Sequence, residues 1–200
     1  MENFWDQRYN EPGFAYGKEP NDFFRTNIDK LSPGNLLLPG EGEGRHAVYA
    51  AQNGWNVTAF DQSRVARDKA LEWAGSLGLK INYQVNDLVD FKCMESSFDL
   101  VAMIYIHLPE SIRQSAHKQM HACLKPGGRM IMECFHKTQL EYGTGGPPIE
   151  ELLYSEQELL EDFSGLEIEK CDNEILYKED GRYHAGESSV IRFIAKKPIQ

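Results

Sequence analysis

The sequence predicts an α/β fold: a doubly wound, largely parallel sheet covered by helices and finished by an antiparallel hairpin. Three observations predict it. Short apolar runs alternate with helical stretches from Leu36 to Ala195, the order that builds a parallel sheet with helices on its faces. A glycine-rich turn, Gly40-Glu41-Gly42-Glu43-Gly44, separates the first run from the first of those helices. The last two runs, 168–176 and 190–195, flank a polar segment, 177–189, that contains Glu179-Asp180-Gly181. Two strands around such a turn make a hairpin.

Each element follows from local signals. Residues 1–30 form an aromatic arm with Phe4, Trp5, Tyr9, Phe14, Tyr16, Phe23 and Phe24. Strands are expected at 36–38, 57–60, 81–85, 98–104 and 129–135, and helices at 45–53, 65–77, 111–124 and 155–163. Gly54 and Gly78 stand where helices should stop, and Ser155 with Glu158 makes a capping box. Lys125-Pro126-Gly127-Gly128 reads as a turn before the fifth strand.

Composition narrows the function classes. A chain of 200 residues, 41% of them hydrophobic, is sized for one domain with a substantial core. Its net charge of -10 repels phosphate backbones and anionic membranes, so neither nucleic acid nor membrane is an expected partner. The start, MENFWDQRYNEPGF, is neither basic nor apolar, and no run approaches the ~18 apolar residues of a membrane span. A cytoplasmic protein is expected. Cys93, Cys123, Cys134 and Cys171 are dispersed with no C-x-x-C pair, and are read as reduced structural thiols rather than disulfides or metal ligands.

The turn carries the chemistry. In doubly wound sheets ligands bind beyond the carboxyl ends of the strands, where glycines let the backbone approach them. A dinucleotide site reads G-x-G-x-x-G and cradles pyrophosphate on bare N–H groups, whereas this turn reads G-x-G-x-G and carries Glu41 and Glu43. Beside a phosphate each glutamate would cost a few kcal/mol at surface-like dielectric, roughly, unless turned away or paired. Asp61 closes the second strand 21 positions after Gly40, where an acid accepts from both ribose hydroxyls. Ribose without phosphate, and carboxylates near a cationic tail, point to S-adenosylmethionine.

Several stretches together resemble a known family: Phe4-Trp5-Asp6-Gln7-Arg8-Tyr9, Ala15-Tyr16-Gly17, the glycine-rich turn with Arg45, Asp61, Asn86-Asp87-Leu88, and Leu124-Lys125-Pro126-Gly127-Gly128. They are similar to the class I S-adenosylmethionine-dependent methyltransferases. Within these the chain most resembles the small-molecule branch of tellurite-resistance and thiopurine methyltransferase-like proteins. The resemblance implies a Rossmann-like, seven-stranded mixed sheet. It places the methionine moiety over Gly40, Gly42 and Gly44 with Arg45 following, the ribose on Asp61 beside Gln62, and the adenine against Asp87 and Leu88. Ile104 and Tyr105 would line the other side. Most family members carry an acid two positions before the first glycine, where this chain has Leu38-Pro39, so Glu41 becomes the candidate for the cofactor's amino group.

Other residues divide between structural and functional readings. Trp5, Tyr9 and Tyr16 are expected as a lid over the sulfonium, because aromatic faces attract cations, while Phe23 and Phe24 read as a strap over the sheet. Tyr105, His107 and His136 follow the fourth and fifth strands and are candidate substrate contacts. His117 and His121 have a zinc-compatible spacing but lack the intervening Glu of the metalloprotease motif, so no metal is expected. Glu150-Glu151 and the acidic run 158–162 read as a solvated face. No residue is singled out as catalytic, since methyl transfer chiefly needs alignment and exclusion of water. The fourth-strand exit lacks the Asn/Asp-Pro-Pro-Tyr signature of nucleic-acid methylation. The expected acceptor is a small molecule with a soft sulfur, selenium or tellurium atom; the rival readings are a non-catalytic S-adenosylmethionine-binding sensor and a nicotinamide-dependent oxidoreductase.

Overall fold

In the computed structural model, which describes residues 4–180 and 183–199, two short helices come first, α1 (Phe4–Tyr9) and α2 (Asp22–Ile28). The alternating part follows: β1 (Asn35–Pro39), α3 (Arg45–Gln52), β2 (Asn56–Asp61), α4 (Arg64–Ser76), β3 (Asn82–Val85), β4 (Phe98–Ile104), α5 (Glu110–Cys123) and β5 (Leu124–Phe135). Two 3-10 turns, Lys137–Glu141 and Glu150–Leu152, lead to α6 (Glu156–Asp162) and to the ribbon of β6 (Glu167–Asp180) and β7 (His184–Lys196). The sheet order is β3-β2-β1-β4-β5-β7-β6, with β7 antiparallel to both neighbours. This is the expected Rossmann-like mixed sheet with its C-terminal hairpin.

Burial on both faces explains the apolar runs. Leu36 and Leu38 face one core with Phe24, Val57 and Ala59, while Leu37 faces the other with Phe60, Val101 and Met103. A strand covered on both sides reads as continuous rather than alternating hydrophobicity, and each fully buried leucine contributes roughly 1.5–3 kcal/mol. On α4, Ala66, Ala70 and Ala74 are buried at four-residue spacing; Ala70 lets the start of α3 approach at Gly44, and Ala66 packs with Tyr9 and Ala15 of the arm. Ser63 caps α4 by accepting the Ala66 N–H at 3.1 Å, and the capping box of Ser155 and Glu158 starts α6.

Several expectations need correction. The arm is partly helical, and Phe23 and Phe24 belong to a core cluster with Leu36 and Leu38, as a strap would. Lys125-Pro126-Gly127-Gly128 bulges out within β5, because pairing with β4 jumps from Phe98↔Leu124 to Leu100↔Arg129. The polar segment 177–189 is mostly strand: β6 and β7 pair as far as Asp180↔His184, and Gly181 of the expected turn lies outside the described residues. Nor is the run 158–162 simply a solvated face. The Asp162 side chain is 1% exposed and accepts from Arg113 Nε at 2.8 Å, with His117 Nδ1 2.7 Å away.

The cysteine expectation is overturned in part. Cys93 and Cys123 form a disulfide, while Cys134 and Cys171 are free. Ser96 N–H donates to Ala122 O at 3.0 Å and Ser97 N–H to Cys123 O at 2.9 Å, so the loop before β4 docks on the end of α5. Docking brings the two Cα atoms to 5.9 Å, within disulfide reach.

Candidate active site

A cavity of about 700 Å³ opens at the carboxyl ends of the parallel strands, where β1 and β4 lie side by side although their connections run to opposite edges of the sheet. That switch point is the natural crevice of a doubly wound sheet. Gly40 follows β1, Asp61 ends β2, Asn86 follows β3, Ile104 ends β4 and Phe135 ends β5, and all five line it.

The glycines of the turn have separate tasks. Gly42 has φ +65°, and a Cβ there would lie 2.8 Å from the Tyr9 hydroxyl. Its N–H donates to Asp61 Oδ2 at 3.0 Å, and its carbonyl accepts from the Tyr83 hydroxyl at 2.5 Å. Gly44 has φ +90° and is held against α4, where a Cβ would come within 2.7 Å of the Ala70 Cβ. It serves helix packing and does not line the cavity.

Both glutamates of the turn are buried and paired. Glu41 Oε1 accepts the N–H groups of His46 at 2.8 Å and Ala47 at 2.7 Å, and its Oε2 lies 2.9 Å from His46 Nδ1. Glu43 accepts the Ala15 N–H at 2.6 Å and Lys69 Nζ at 2.8 Å. Repulsion between two free carboxylates and a phosphate is therefore the wrong argument. The stronger one is occupancy: Glu41 sits on the first N–H groups of α3, the donors with which a helix start would hold a phosphate. Although Glu41 lines the cavity, both of its oxygens are turned onto α3.

Asp61, at the end of β2, also lines the cavity. Its oxygens accept from Ser63 N–H at 2.8 Å and Gly42 N–H at 3.0 Å. Burial pushes its pKa up to about 6, with Glu41 and Asp6 adding to the rise and the two N–H donors opposing it. Gln62, Asp87 and Leu88 line the cavity beyond it, Asp87 being folded into a turn by accepting the Val89 N–H.

The arm supplies a wall. Trp5 stacks on Tyr9 with ring centroids 5.7 Å apart, and Tyr9 meets Tyr16 edge-on at 6.5 Å. The Arg8 guanidinium donates to the Tyr16 hydroxyl at 3.4 Å and lies 3.7 Å over the ring of Tyr183. Arg45 holds the Tyr16 carbonyl at 3.2 Å. Arg8 and Tyr183 escaped the sequence reading. Arg8 stood in the arm's opening stretch as one charge among many, and Tyr183 reaches the cavity only because the hairpin is long.

On the acceptor side, Tyr105 and His107 line the cavity together with Phe135, Pro147, Pro148 and Leu152. His107 donates through Nδ1 to Leu152 O at 2.8 Å and accepts the Phe135 N–H on Nε2 at 3.3 Å. Burial lowers its pKa to about 4, so it is a neutral ring with both nitrogens engaged. His136 lies off the cavity, capping the first 3-10 turn by accepting the Thr138 N–H, with Glu156 3.3 Å from Nε2. Among the described residues no group of three His, Cys, Asp or Glu side chains is arranged for a metal ion, and no helix is long and apolar enough to cross a membrane.

Comparison with known proteins agrees with this frame. Residues 37–128 match the family described as a methyltransferase domain. No curated protein matches the chain. Among solved structures, TehB from Haemophilus influenzae is 19% identical with a TM-score of 0.75, covering 97% of this chain and 66% of its own. The fold is that of the Rossmann-like methyltransferases. The N-methyltransferase NodS from Bradyrhizobium japonicum WM9, in complex with S-adenosyl-L-homocysteine, shares this methyltransferase fold at 14% identity and a TM-score of 0.74, over 97% of this chain and 96% of its own. So does the protein studied for conversion of a disulfide bond into a thioacetal group during echinomycin biosynthesis, at 20% identity and 0.77, over 96% and 86%.

Proposed function

We propose that the chain is an S-adenosylmethionine-dependent methyltransferase whose acceptor is a small molecule with a soft sulfur, selenium or tellurium nucleophile. The observation that carries the cofactor is the pairing of Asp61, which lines the cavity at the end of β2, with an α3 start where Glu41 already takes the N–H groups of His46 and Ala47. The site keeps a carboxylate for a ribose and has already given two of the helix-start donors a phosphate would use to Glu41. The methyltransferase-domain match over residues 37–128 supports the same choice.

S-adenosylmethionine supplies an activated methyl group on a sulfonium and leaves as S-adenosylhomocysteine. The protein's part is alignment and enclosure. Asp61 and the glycine turn hold the nucleoside end, Trp5, Tyr9 and Tyr16 close one side, and Tyr105, Phe135 and His107 face the acceptor. Because His107 spends both nitrogens on main-chain groups, an acceptor that arrives already nucleophilic fits this wall better than one needing deprotonation. The sulfur chemistry of the echinomycin-pathway neighbour lends support.

Isothermal calorimetry should show binding of S-adenosylmethionine or S-adenosylhomocysteine and no comparable signal with NADH. S-adenosylhomocysteine release should then appear with thiophenol, 6-mercaptopurine, selenite or tellurite and not with duplex DNA or RNA. Tight NADH binding would overturn the cofactor, and turnover only with nucleic acid would overturn the acceptor.

A further inference from the structure

Tyr105 leaves β4 with φ +58°, a left-handed backbone that costs an aromatic residue about 1 kcal/mol or more and persists only where its surroundings impose it. One residue supplies two of the contacts that hold it there. The Tyr105 N–H donates to the main-chain oxygen of Glu133 at 2.8 Å, and its hydroxyl donates to Glu133 Oε1 at 2.6 Å. Glu133, on β5, thus grips Tyr105 at the backbone and at the tip of the ring.

The same carboxylate gathers donors from the elements that carry other walls of the cavity. Fully buried, it also takes Asn21 Nδ2 and Lys178 Nζ on Oε1, each at 2.7 Å, and Arg192 Nε on Oε2 at 2.8 Å. Asn21 caps α2 at the root of the arm by accepting the Phe24 N–H at 3.0 Å. Lys178 and Arg192 come from β6 and β7, whose hairpin carries Tyr183. Lys178 Nζ also lies 4.7 Å from the centroid of the Tyr105 ring, which packs on Phe135 at 4.7 Å. Burial alone would raise the Glu133 pKa, but Lys178, Tyr105 and Arg192 outweigh it and hold the group at about 2. The carboxylate is therefore charged throughout the working range.

Cohesion does not explain such a cluster. Desolvation costs each buried ion several kcal/mol, roughly, and apolar side chains of equal volume often stabilise a fold as well. What apolar packing lacks is direction. A carboxylate with four directed donors fixes where each donor stands, and one of those donors is the ring in the acceptor wall.

We propose that Glu133 is a positioning residue for methyl transfer, holding the Tyr105 ring in one place and tying that place to the arm and the hairpin. The inference rests on the methyltransferase reading above. It adds a residue that touches neither cofactor nor acceptor but sets the geometry in which they meet.

Tyr105→Phe is the decisive variant, since it removes one hydroxyl and keeps the ring; Glu133→Gln is its partner. In both, hydrogen exchange of amides 104–106 should run about tenfold faster, the factor for an opening made easier by ~1.4 kcal/mol, while α4 amides stay unchanged. With thiophenol as probe, kcat should fall about tenfold and the Kd for S-adenosylhomocysteine should stay within about twofold. The double variant should be no worse than Glu133→Gln alone, because the two residues act as a unit. Unchanged exchange at 104–106 in Tyr105→Phe would overturn the clamp. Faster exchange with unchanged kcat, or a loss of S-adenosylhomocysteine affinity that matches the loss of kcat, would overturn the positioning role. If the wild-type protein transfers methyl to none of the acceptors, the soft-acceptor reading fails and the positioning role argued for that acceptor fails with it, while the exchange measurement still decides the clamp.

Discussion

Glu43 accepts the backbone N–H of Ala15 at 2.6 Å, so the glycine turn and the N-terminal arm are joined by one buried hydrogen bond. Lys69 reinforces the joint, bonding Glu43 and the carbonyls of Glu11 and Gly13. Deleting residues 1–20 should leave the sheet folded by circular dichroism, because Asn21, α2 and the strap residues Phe23 and Phe24 remain. Affinity for S-adenosylhomocysteine should fall at least about tenfold, as expected when an enclosing element is lost. With Trp55 and Trp73 replaced by Phe, Trp5 fluorescence should respond to ligand. A truncated protein that binds as tightly as the intact one would reduce the arm to a strap.

Asp61 should make cofactor binding pH-dependent. Its carboxylate can accept from both ribose hydroxyls only when ionised, and its pKa is raised to about 6. Affinity should be flat above that value and fall by about tenfold per unit well below it. Folding stability runs the other way: a raised carboxyl pKa contributes stability that is full below the unfolded value of 3.8 and is lost as pH rises through about 6. Calorimetry from pH 5 to 8 checks the first statement. Asp61→Ala should weaken binding by roughly 1.5–3 kcal/mol and flatten the profile; undiminished affinity in a folded variant would remove Asp61 from the site.

Glu41→Ala strips two N–H groups at the start of α3 of their acceptor. Urea denaturation should show a loss of about 1–2 kcal/mol, the scale of a helix cap combined with the helix dipole. If stability is unchanged, the carboxylate is not serving the helix, and the occupancy argument against a phosphate loses its basis.

His107→Ala and His136→Ala should each lower kcat/KM by less than about tenfold, or ~1.4 kcal/mol. Held near pKa 4 by burial, His107 is protonated only in acid, so its proton leaves no step in the rate between pH 6 and 8. A thousandfold loss with a rate that titrates near neutrality would make one of these histidines a base, and the acceptor a hydroxyl or amine.

The disulfide can be tested directly. Non-reducing peptide mapping should recover Cys93 linked to Cys123, and reduction should lower stability by about 2–4 kcal/mol, the usual range for closing a loop of this size. Recovery of both as free thiols from protein purified without reductant would dissolve the bond.

The inner strands were legible because both faces of β1 and β4 are covered, which leaves unbroken apolar runs such as Leu36-Leu37-Leu38. The outer ribbon was legible only near the sheet: the hairpin of 168–176 and 190–195 was expected, but its far end projects beyond β5 and the residues from Tyr177 to Ser189 are polar enough to read as loop. Helices α1 and α2, of six and seven residues, are too short to show a helical period. The site was legible where spacing carries the information, as with Asp61 after Gly40. It was illegible where orientation does: nothing in the order of residues says that Glu41 turns onto α3, that His107 is spent on main-chain groups, or that Glu133 reaches Tyr105. The bond between Cys93 and Cys123 spans 30 residues and is set by the docking of a loop, which no local pattern records.

β6 ends the sheet, so one side of a 14-residue strand is open to pairing with another chain. An open edge invites growth of the sheet by self-association, and charged side chains along it are the usual defence. Glu167, Glu169, Lys170, Asp172 and Glu174 stand among the first eight residues of that strand, while Ile175 and Tyr177 follow with 51% and 73% of their surface exposed. The charged run from Glu167 to Glu174 therefore guards that edge, and neutralising it should raise the tendency of the outermost ribbon to pair with a second copy and aggregate.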